Sequence, residues 1–112
     1  MAAQNLIPAS IQTVTADTGT PGAIDMSTLG NYSGPFQLAV RVPTTAAGPV
    51  YLTANSAATS ADTDGIVGIP VPTVAGSTWY SGTLLSGDAA AGLYLYAASA
   101  TDCVVSLIRV SS

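Results

Sequence analysis

The sequence predicts an all-β fold: an antiparallel β-sandwich of jelly-roll type, built from seven or eight short strands with little or no helix. Apolar and polar residues alternate in several short segments, most clearly at residues 36–42. Eleven Gly and seven Pro are spread along the chain and divide it into short pieces. No long segment has apolar residues at the i, i+3, i+4 and i+7 spacing of an amphipathic helix.

The chain of 112 residues has the length of a single domain. Residues 1–35 are interpreted as an N-terminal arm with the first strand, and residues 36–112 as the main sandwich. Within the arm, Pro8 interrupts the apolar pair that precedes it, and residues 11–15 form a plausible strand. A short helical turn is expected at residues 25–29, with Asp25 as its cap.

Within the main sandwich, six segments have the composition and periodicity of strands: residues 36–42, 50–54, 66–71, 78–84, 93–97 and 103–110. Pro70 and Pro72 cannot donate ladder hydrogen bonds, so segment 66–71 is placed at a sheet edge. Segment 103–110 is apolar on both faces, which predicts a central strand covered on two sides. Residues 55–65 are interpreted as one long polar loop.

Charged residues are unusually scarce. They make up 7% of the chain, as six Asp and two Arg without Lys, Glu or His, whereas an average soluble protein has roughly a quarter. Thr, Ser, Ala and Gly take their place, and these side chains lose little entropy on immobilisation. We therefore expect a surface suited to burial against a neighbouring molecule. Compositional drift or adaptation to an unusual solvent is the alternative.

The composition argues against nucleic acid and membranes as partners. Phosphate binding needs clustered Lys and Arg, whereas this chain has two Arg and a net charge of −4. No apolar run approaches the roughly 20 residues of a membrane-spanning helix. Residues 1–5 lack the basic and hydrophobic regions of a signal peptide, which predicts synthesis in the cytoplasm without Sec export.

The sequence contains no recognisable catalytic or cofactor-binding motif, so we expect a non-enzymatic protein without a cofactor. Without His or Lys, a Ser or Cys nucleophile has no ordinary general base. A pair of Asp residues could still act as acid and base, but no feature marks such a pair. The single cysteine, Cys103, lies in an apolar run and is predicted to be a buried small hydrophobe.

One segment resembles the start of a calcium-binding loop. Asp62-Thr63-Asp64-Gly65 has the D-x-D-G pattern, but the downstream bidentate Glu is missing because the chain contains no Glu. Asp-Gly pairs are typical of turns, so this segment is interpreted as a turn and no bound metal is expected. Asp17-Thr18-Gly19 and Gly87-Asp88 are interpreted in the same way.

Tyr94 and Tyr96 are candidate interface residues. They share one face of a predicted strand, and two Leu residues occupy its other face. Packing between sheets would cover the Leu face, which leaves the Tyr face for a partner protein. The aromatic residues could alternatively form a platform for a sugar or serve as ordinary packing residues. That set comprises Tyr51, Trp79, Tyr80, Tyr94 and Tyr96.

Arg41 and Arg109 complete the candidate interface residues. Each lies within a predicted strand rather than in a loop. Each could pair with an Asp on the sheet surface, a contact of little energetic value if exposed. Arg is also enriched in protein interfaces, so an anchoring contact is the other interpretation.

The second half of the chain resembles a known family. It begins with Pro-Val-Tyr-Leu at residues 49–52, continues through a polar loop to Trp79-Tyr80, and reaches Leu-Tyr-Leu-Tyr-Ala-Ala-Ser at residues 93–99. An alternating Val and Leu strand closes it at residues 104–110. This order, over residues 36–110, is similar to small β-sandwich proteins of tailed-phage structural gene modules, the head decoration or cement proteins and related virion accessory proteins.

The resemblance implies a structural protein of the bacteriophage virion, located on the capsid surface and made in the host cytoplasm. It implies binding to the major capsid protein and a homo-oligomer, with a trimer favoured, and it supplies no catalytic residues. A tail or baseplate component is a second structural interpretation. A carbohydrate-binding module is the alternative from a different functional class.

Overall fold

The structure of the chain, a computed structural model, describes residues 5–27, 34–60, 67–74, 76–82, 84 and 92–111, with only the backbone for residues 5–10, 67, 110 and 111. These residues form two sheets of four strands each, and the hydrogen-bonded strand pairs are antiparallel. The predicted all-β sandwich is confirmed. Within the described ranges, no helix has the length and apolar character needed to cross a bilayer.

The described part of the chain contains eight strands: β1 (Asn5–Ala16), β2 (Gly22–Ala23), β3 (Phe36–Arg41), β4 (Val50–Thr53), β5 (Val67–Ile69), β6 (Trp79–Tyr80), β7 (Tyr94–Tyr96) and β8 (Thr101–Ser111). The first sheet has the order β1-β8-β3-β6, and the second has the order β2-β7-β4-β5. Strands distant in sequence are therefore neighbours in both sheets.

Alternating side chains from both sheets form the core. Phe36 and Leu38 on β3, Leu107 on β8, Leu95 on β7 and Val50 on β4 are completely buried. Burial of each such side chain contributes roughly 1.5–3 kcal/mol relative to exposure. The periodicity of two along β3 places every second residue in this core, as predicted for residues 36–42.

The predicted positions of two strands are confirmed. The closing strand β8 lies centrally in the first sheet, where Leu107 pairs with Ser10 of β1 and with Leu38 of β3. Strand β5 lies at the edge of the second sheet, as the flanking proline at position 70 predicts. The outer face of β8 is less fully covered than expected, since Val104 remains half-buried although Ile108 is buried.

The prediction that Pro8 interrupts the N-terminal strand is wrong. Strand β1 is 12 residues long and continues through Pro8. The register of β1 against β8 shifts between Pro8 and Ser10. An edge strand tolerates proline because the proline nitrogen, which has no hydrogen to donate, can face away from the ladder, and a bulge absorbs the local irregularity. With β8 at 11 residues, two of the strands are long rather than short.

The chain joins the two sheets just after β1. The Asp17 N–H donates to the Leu95 carbonyl (3.4 Å), and the Ala97 N–H donates to the Asp17 carbonyl (3.3 Å). Nearby, the Gln12 side-chain amide donates to the Asp25 carbonyl (3.1 Å) and accepts from the Asp25 N–H (2.7 Å). The Gln12 side chain thus takes the place of a backbone partner for Asp25. The first 35 residues contribute one edge strand to each sheet, β1 to the first and β2 to the second.

The structure bears on only some of the predicted turns. At the confirmed turn after β1, the Asp17 carboxylate accepts from the Thr18 N–H (2.8 Å), and Gly19 has a φ of 76°. The Asp25 carboxylate accepts from the Ser27 N–H (2.9 Å), as a capping residue does. The rest of that predicted helical turn, the segment 62–65 and the pair 87–88 lie outside the described residues.

Candidate functional site

The outer surface of the second sheet carries three tyrosines: Tyr51, Tyr94 and Tyr96. Tyr51 on β4 lies directly opposite Tyr96 on β7, and Tyr94 lies opposite Thr53. Leu95, between the two β7 tyrosines, is completely buried on the inner face. The predicted separation of Leu and Tyr onto opposite faces is therefore confirmed, and we call this surface the tyrosine face.

A cleft lies beside two of these tyrosines. The ring centroids of Tyr51 and Tyr96 are 6.2 Å apart, and the ring planes are inclined by 49°. Together with residues 47–49 and 97–99 and with Thr101, the rings line a cleft of about 240 Å³. None of the lining side chains is charged. The cleft is suited to an uncharged group that packs against an aromatic ring.

The chain itself already buries one of the candidate tyrosines. Tyr96 is 7% exposed, and its hydroxyl donates to the Thr59 carbonyl (3.2 Å). Tyr51 and Tyr94 remain half-buried. A Cβ atom at Gly68 would lie 3.2 Å from Cε2 of Tyr51, so glycine there leaves room for the Tyr51 ring beside β5. The area available to a partner on the tyrosine face therefore comes mainly from Tyr51 and Tyr94.

The structure does not bring the two arginines together. Arg41 is exposed at the end of β3 and pairs with Val104. Arg109 is half-buried near the opposite end of β8 and pairs with Phe36, the first residue of β3. Their positions five residues apart along the ladder place them on opposite faces of the first sheet. Arg41 and Arg109 cannot contribute to one compact contact.

The five aromatic residues are also divided, so they do not form a single platform. Trp79 packs against the core at the opening between β6 and β5, where it lines a groove of about 210 Å³ with Val42 and Ile69. Tyr80 lies on the outer side of the first sheet, opposite Ala39, and is 57% exposed. Only the three tyrosines of the second sheet share a surface.

A second surface was not recognised from the sequence. One row of side chains crosses the outer side of the first sheet: Ile11, Ser106, Ala39 and Tyr80. Its two ends are strongly exposed, Ile11 at 73% and Tyr80 at 57%. We call this row, together with its neighbours Thr13, Val104 and Arg41, the first-sheet outer face. Its signal is distributed over four strands, so no single segment of the sequence reveals it.

Cys103 lies within the core of the first sheet. It is completely buried, and its S–H donates to the Thr101 carbonyl (3.7 Å). Burial, and to a smaller extent the neighbouring Asp102 carboxylate, together raise the pKa of the Cys103 thiol to about 11. The thiol is protonated at neutral pH, and the predicted role as a buried small hydrophobe is confirmed.

The structure assembles no cluster of three His, Cys, Asp or Glu side chains in the ranges that it describes. Asp62 and Asp64, which resemble the start of a calcium loop, lie outside those ranges.

Comparisons of the chain with protein families, with curated proteins and with solved structures returned no match.

Proposed function

We propose that this chain is a non-enzymatic structural protein of a bacteriophage virion, most specifically a capsid decoration or cement protein that stabilises the shell by binding the major capsid protein. The observation that carries the proposal is the first-sheet outer face, with Ile11 73% and Tyr80 57% exposed on a sheet. Apolar side chains that are exposed together on one rigid face favour a site of protein interaction. The resemblance over residues 36–110 supports the location on a capsid.

The composition of this face favours a lattice partner. Thr13 and Thr15 are exposed beside Ile11, and such side chains lose little entropy on burial. Each contact can therefore be weak, because a homo-oligomer that engages several capsid subunits gains affinity through multivalency. The resemblance favours a trimer for this assembly. Arg41, exposed at the rim of the same face, serves as an orienting contact.

Binding to capsids tests the proposal directly. Purified protein is mixed with undecorated capsids, and both bound protein and capsid heat resistance are measured. We expect Tyr80→Ser to weaken binding by about tenfold or more, because aromatic side chains dominate interface energetics. Val74→Ser is the matched control, since Val74 is 66% exposed in a loop. Equal binding by both variants, or no binding by the parent protein, contradicts the proposal.

A carbohydrate-binding module is the second candidate function. The cleft beside Tyr51 and Tyr96 favours it, because an uncharged aromatic cleft of about 240 Å³ can accept a sugar ring. Binding to a polysaccharide array that is lost in Tyr51→Ala, together with indifference to capsids, would replace the capsid proposal with this one. Immunogold labelling of tails rather than heads would instead favour the tail or baseplate alternative.

A further inference from the structure

Beyond Pro8, the long edge strand β1 presents a hydrogen-bonding edge with which no residue of the described ranges pairs. It is the outermost strand of the first sheet, with β8 on one side. Natural proteins protect such edges with Lys, Pro, inward-pointing charges or bulges. Residues 10–16, Ser-Ile-Gln-Thr-Val-Thr-Ala, contain none of the charged residues and no proline. As far as the described part of the chain goes, this stretch is therefore open to pairing with another strand.

The hydrogen bonds of β3 show towards which neighbouring strand each residue of the first sheet directs its N–H and carbonyl groups. The Ser81 N–H donates to the Leu38 carbonyl (2.8 Å), so Leu38 directs its backbone groups towards β6. Because the direction alternates along a strand, Ala39 directs its groups towards its β8 partner Ser106. The next residue of β8, Val105, consequently directs its groups to β1.

Val105 pairs with Gln12, so Gln12 exchanges hydrogen bonds with β8. The residues on either side of it, Ile11 and Thr13, must direct their N–H and carbonyl groups to the open edge. Asp17 lies an even number of residues after Ile11 and Thr13, so its backbone groups should face the same side of the strand. Its N–H and carbonyl indeed bond to the second sheet instead of to β8, which confirms this direction. Ile11 and Thr13 therefore offer two donors and two acceptors at the edge.

Both ends of the open stretch are defined. On the N-terminal side, Pro8 and the register shift that follows it interrupt the ladder. On the C-terminal side, Gly22 packs so closely against the Thr15 carbonyl that a Cβ there would overlap it. The usable edge is thus residues 10–14, a length that suits pairing with one short strand.

We propose that the occupant of this edge is the same edge of a second copy of the chain. Only an extended strand matches a row of alternating donors and acceptors. Identical edges meet antiparallel about a two-fold axis, and with Gln12 on that axis Ile11 pairs with Thr13 of the other copy. All the open groups of both residues are then satisfied by four hydrogen bonds. Without charges in residues 10–16, no like-charge repulsion opposes the pairing.

The side chains support the same register. Ile11 is 73% exposed and Thr13 is exposed, and both project from the outer side of the sheet. In the pair, each Ile11 packs against the Thr13 methyl of the other copy, whereas Tyr80, at the other end of the first-sheet outer face, stays exposed for a capsid contact. The two first sheets join into one continuous sheet of eight strands. This two-fold dimer is an alternative to the trimer that the family resemblance favours, and it does not depend on capsid binding.

Sedimentation equilibrium without capsids tests the inference. We expect a concentration-dependent dimer of twice the 11.1 kDa chain mass. Ile11→Lys/Thr13→Lys should weaken it by about tenfold or more, because it places four positive charges at the junction. Ile11→Lys/Thr13→Asp should restore it, since only the proposed register sets each Lys opposite an Asp. Val74→Lys is the matched control at an exposed aliphatic position.

Circular dichroism and thermal melting show whether each variant is folded. We expect all of them to fold, because the substituted side chains lie outside the core. A monomer at all concentrations overturns the inference. A trimer whose mass is unaffected by the β1 substitutions also overturns it and leaves the assembly favoured by the family resemblance. Failure to bind capsids with the dimer intact counts against the proposed function alone.

Discussion

Cys103 is the third residue of strand β8, and none of its surface is exposed. Its pKa of about 11 follows from the environment, because burial disfavours the thiolate and the adjacent Asp102 carboxylate disfavours it further. The sequence indicated an apolar position for this side chain. The direction and size of the pKa shift depend on the strands that pack around it.

The raised pKa of Cys103 predicts a loss of stability in alkali. Below about pH 9 both folded and unfolded states hold the thiol proton, whereas between about pH 9 and 11 only the folded state does. The free energy of unfolding should therefore fall as the pH rises through this window, by about 2 kcal/mol. Denaturant unfolding at pH 8 and pH 11 measures it. Cys103→Ala removes the thiol contribution and isolates it from every other pH-dependent contribution; an equal fall in both proteins contradicts the prediction.

Ser81 shows how a side chain can extend a strand element. Just after the two-residue strand β6, its Oγ accepts from the Leu38 N–H (2.9 Å) and donates to the Gly82 carbonyl (2.7 Å). Its own N–H donates to the Leu38 carbonyl (2.8 Å). Ser81 thereby continues the pairing of β3 where the regular ladder ends. Nothing in the local sequence distinguishes it from the chain's other serines.

Ser81→Ala should destabilise the protein by about 1–3 kcal/mol, because it leaves the N–H of the fully buried Leu38 without its acceptor. Thermal or denaturant unfolding of the variant measures the loss. Ser77→Ala is the matched control, since Ser77 is exposed and uses its backbone N–H instead. If the two variants had the same stability, the Ser81 Oγ contact would contribute nothing to the free energy of unfolding.

At the level of elements, alternation predicted strands best where one face is buried. Residues 36–42 correspond to β3, and the closing segment corresponds to β8 with one or two residues added at its ends. The pattern did not predict a strand through Pro8, because the restriction on proline in central strands does not apply at a sheet edge. It also missed β2, because a two-residue strand is stabilised by its neighbour β7 rather than by its own composition.

For the molecule as a whole, the scarcity of charge dominates behaviour in solution. Six Asp and two Arg give a net charge of −4 at neutral pH and an isoelectric point near 4.1. As the pH approaches that value, the small charge that keeps molecules apart disappears while exposed apolar groups such as Ile11 and Tyr80 remain. Association is then limited only by surface shape and hydration.

We expect a sharp minimum of solubility near pH 4.1, with recovery on return to pH 7. Light scattering across a pH titration measures it, and circular dichroism at each pH separates association of folded protein from unfolding. The Tyr80→Ser variant should precipitate less, since it removes an exposed aromatic group from the first-sheet outer face. Solubility that stays constant from pH 7 to pH 4 would contradict the expectation.

The sequence by itself determined the all-β class, the edge position of β5, the central position of β8 and the placement of Tyr94 and Tyr96 opposite the core, because each of these follows from local periodicity and from proline chemistry. Tertiary structure alone decided which surfaces remain open. Tyr96 is buried and donates to Thr59 in a distant loop, and Arg41 and Arg109 are separated. The outer row whose ends, Ile11 and Tyr80, are exposed is assembled from four strands. The reason is physical: exposure depends on which strands become neighbours, and those pairings join residues far apart in the chain.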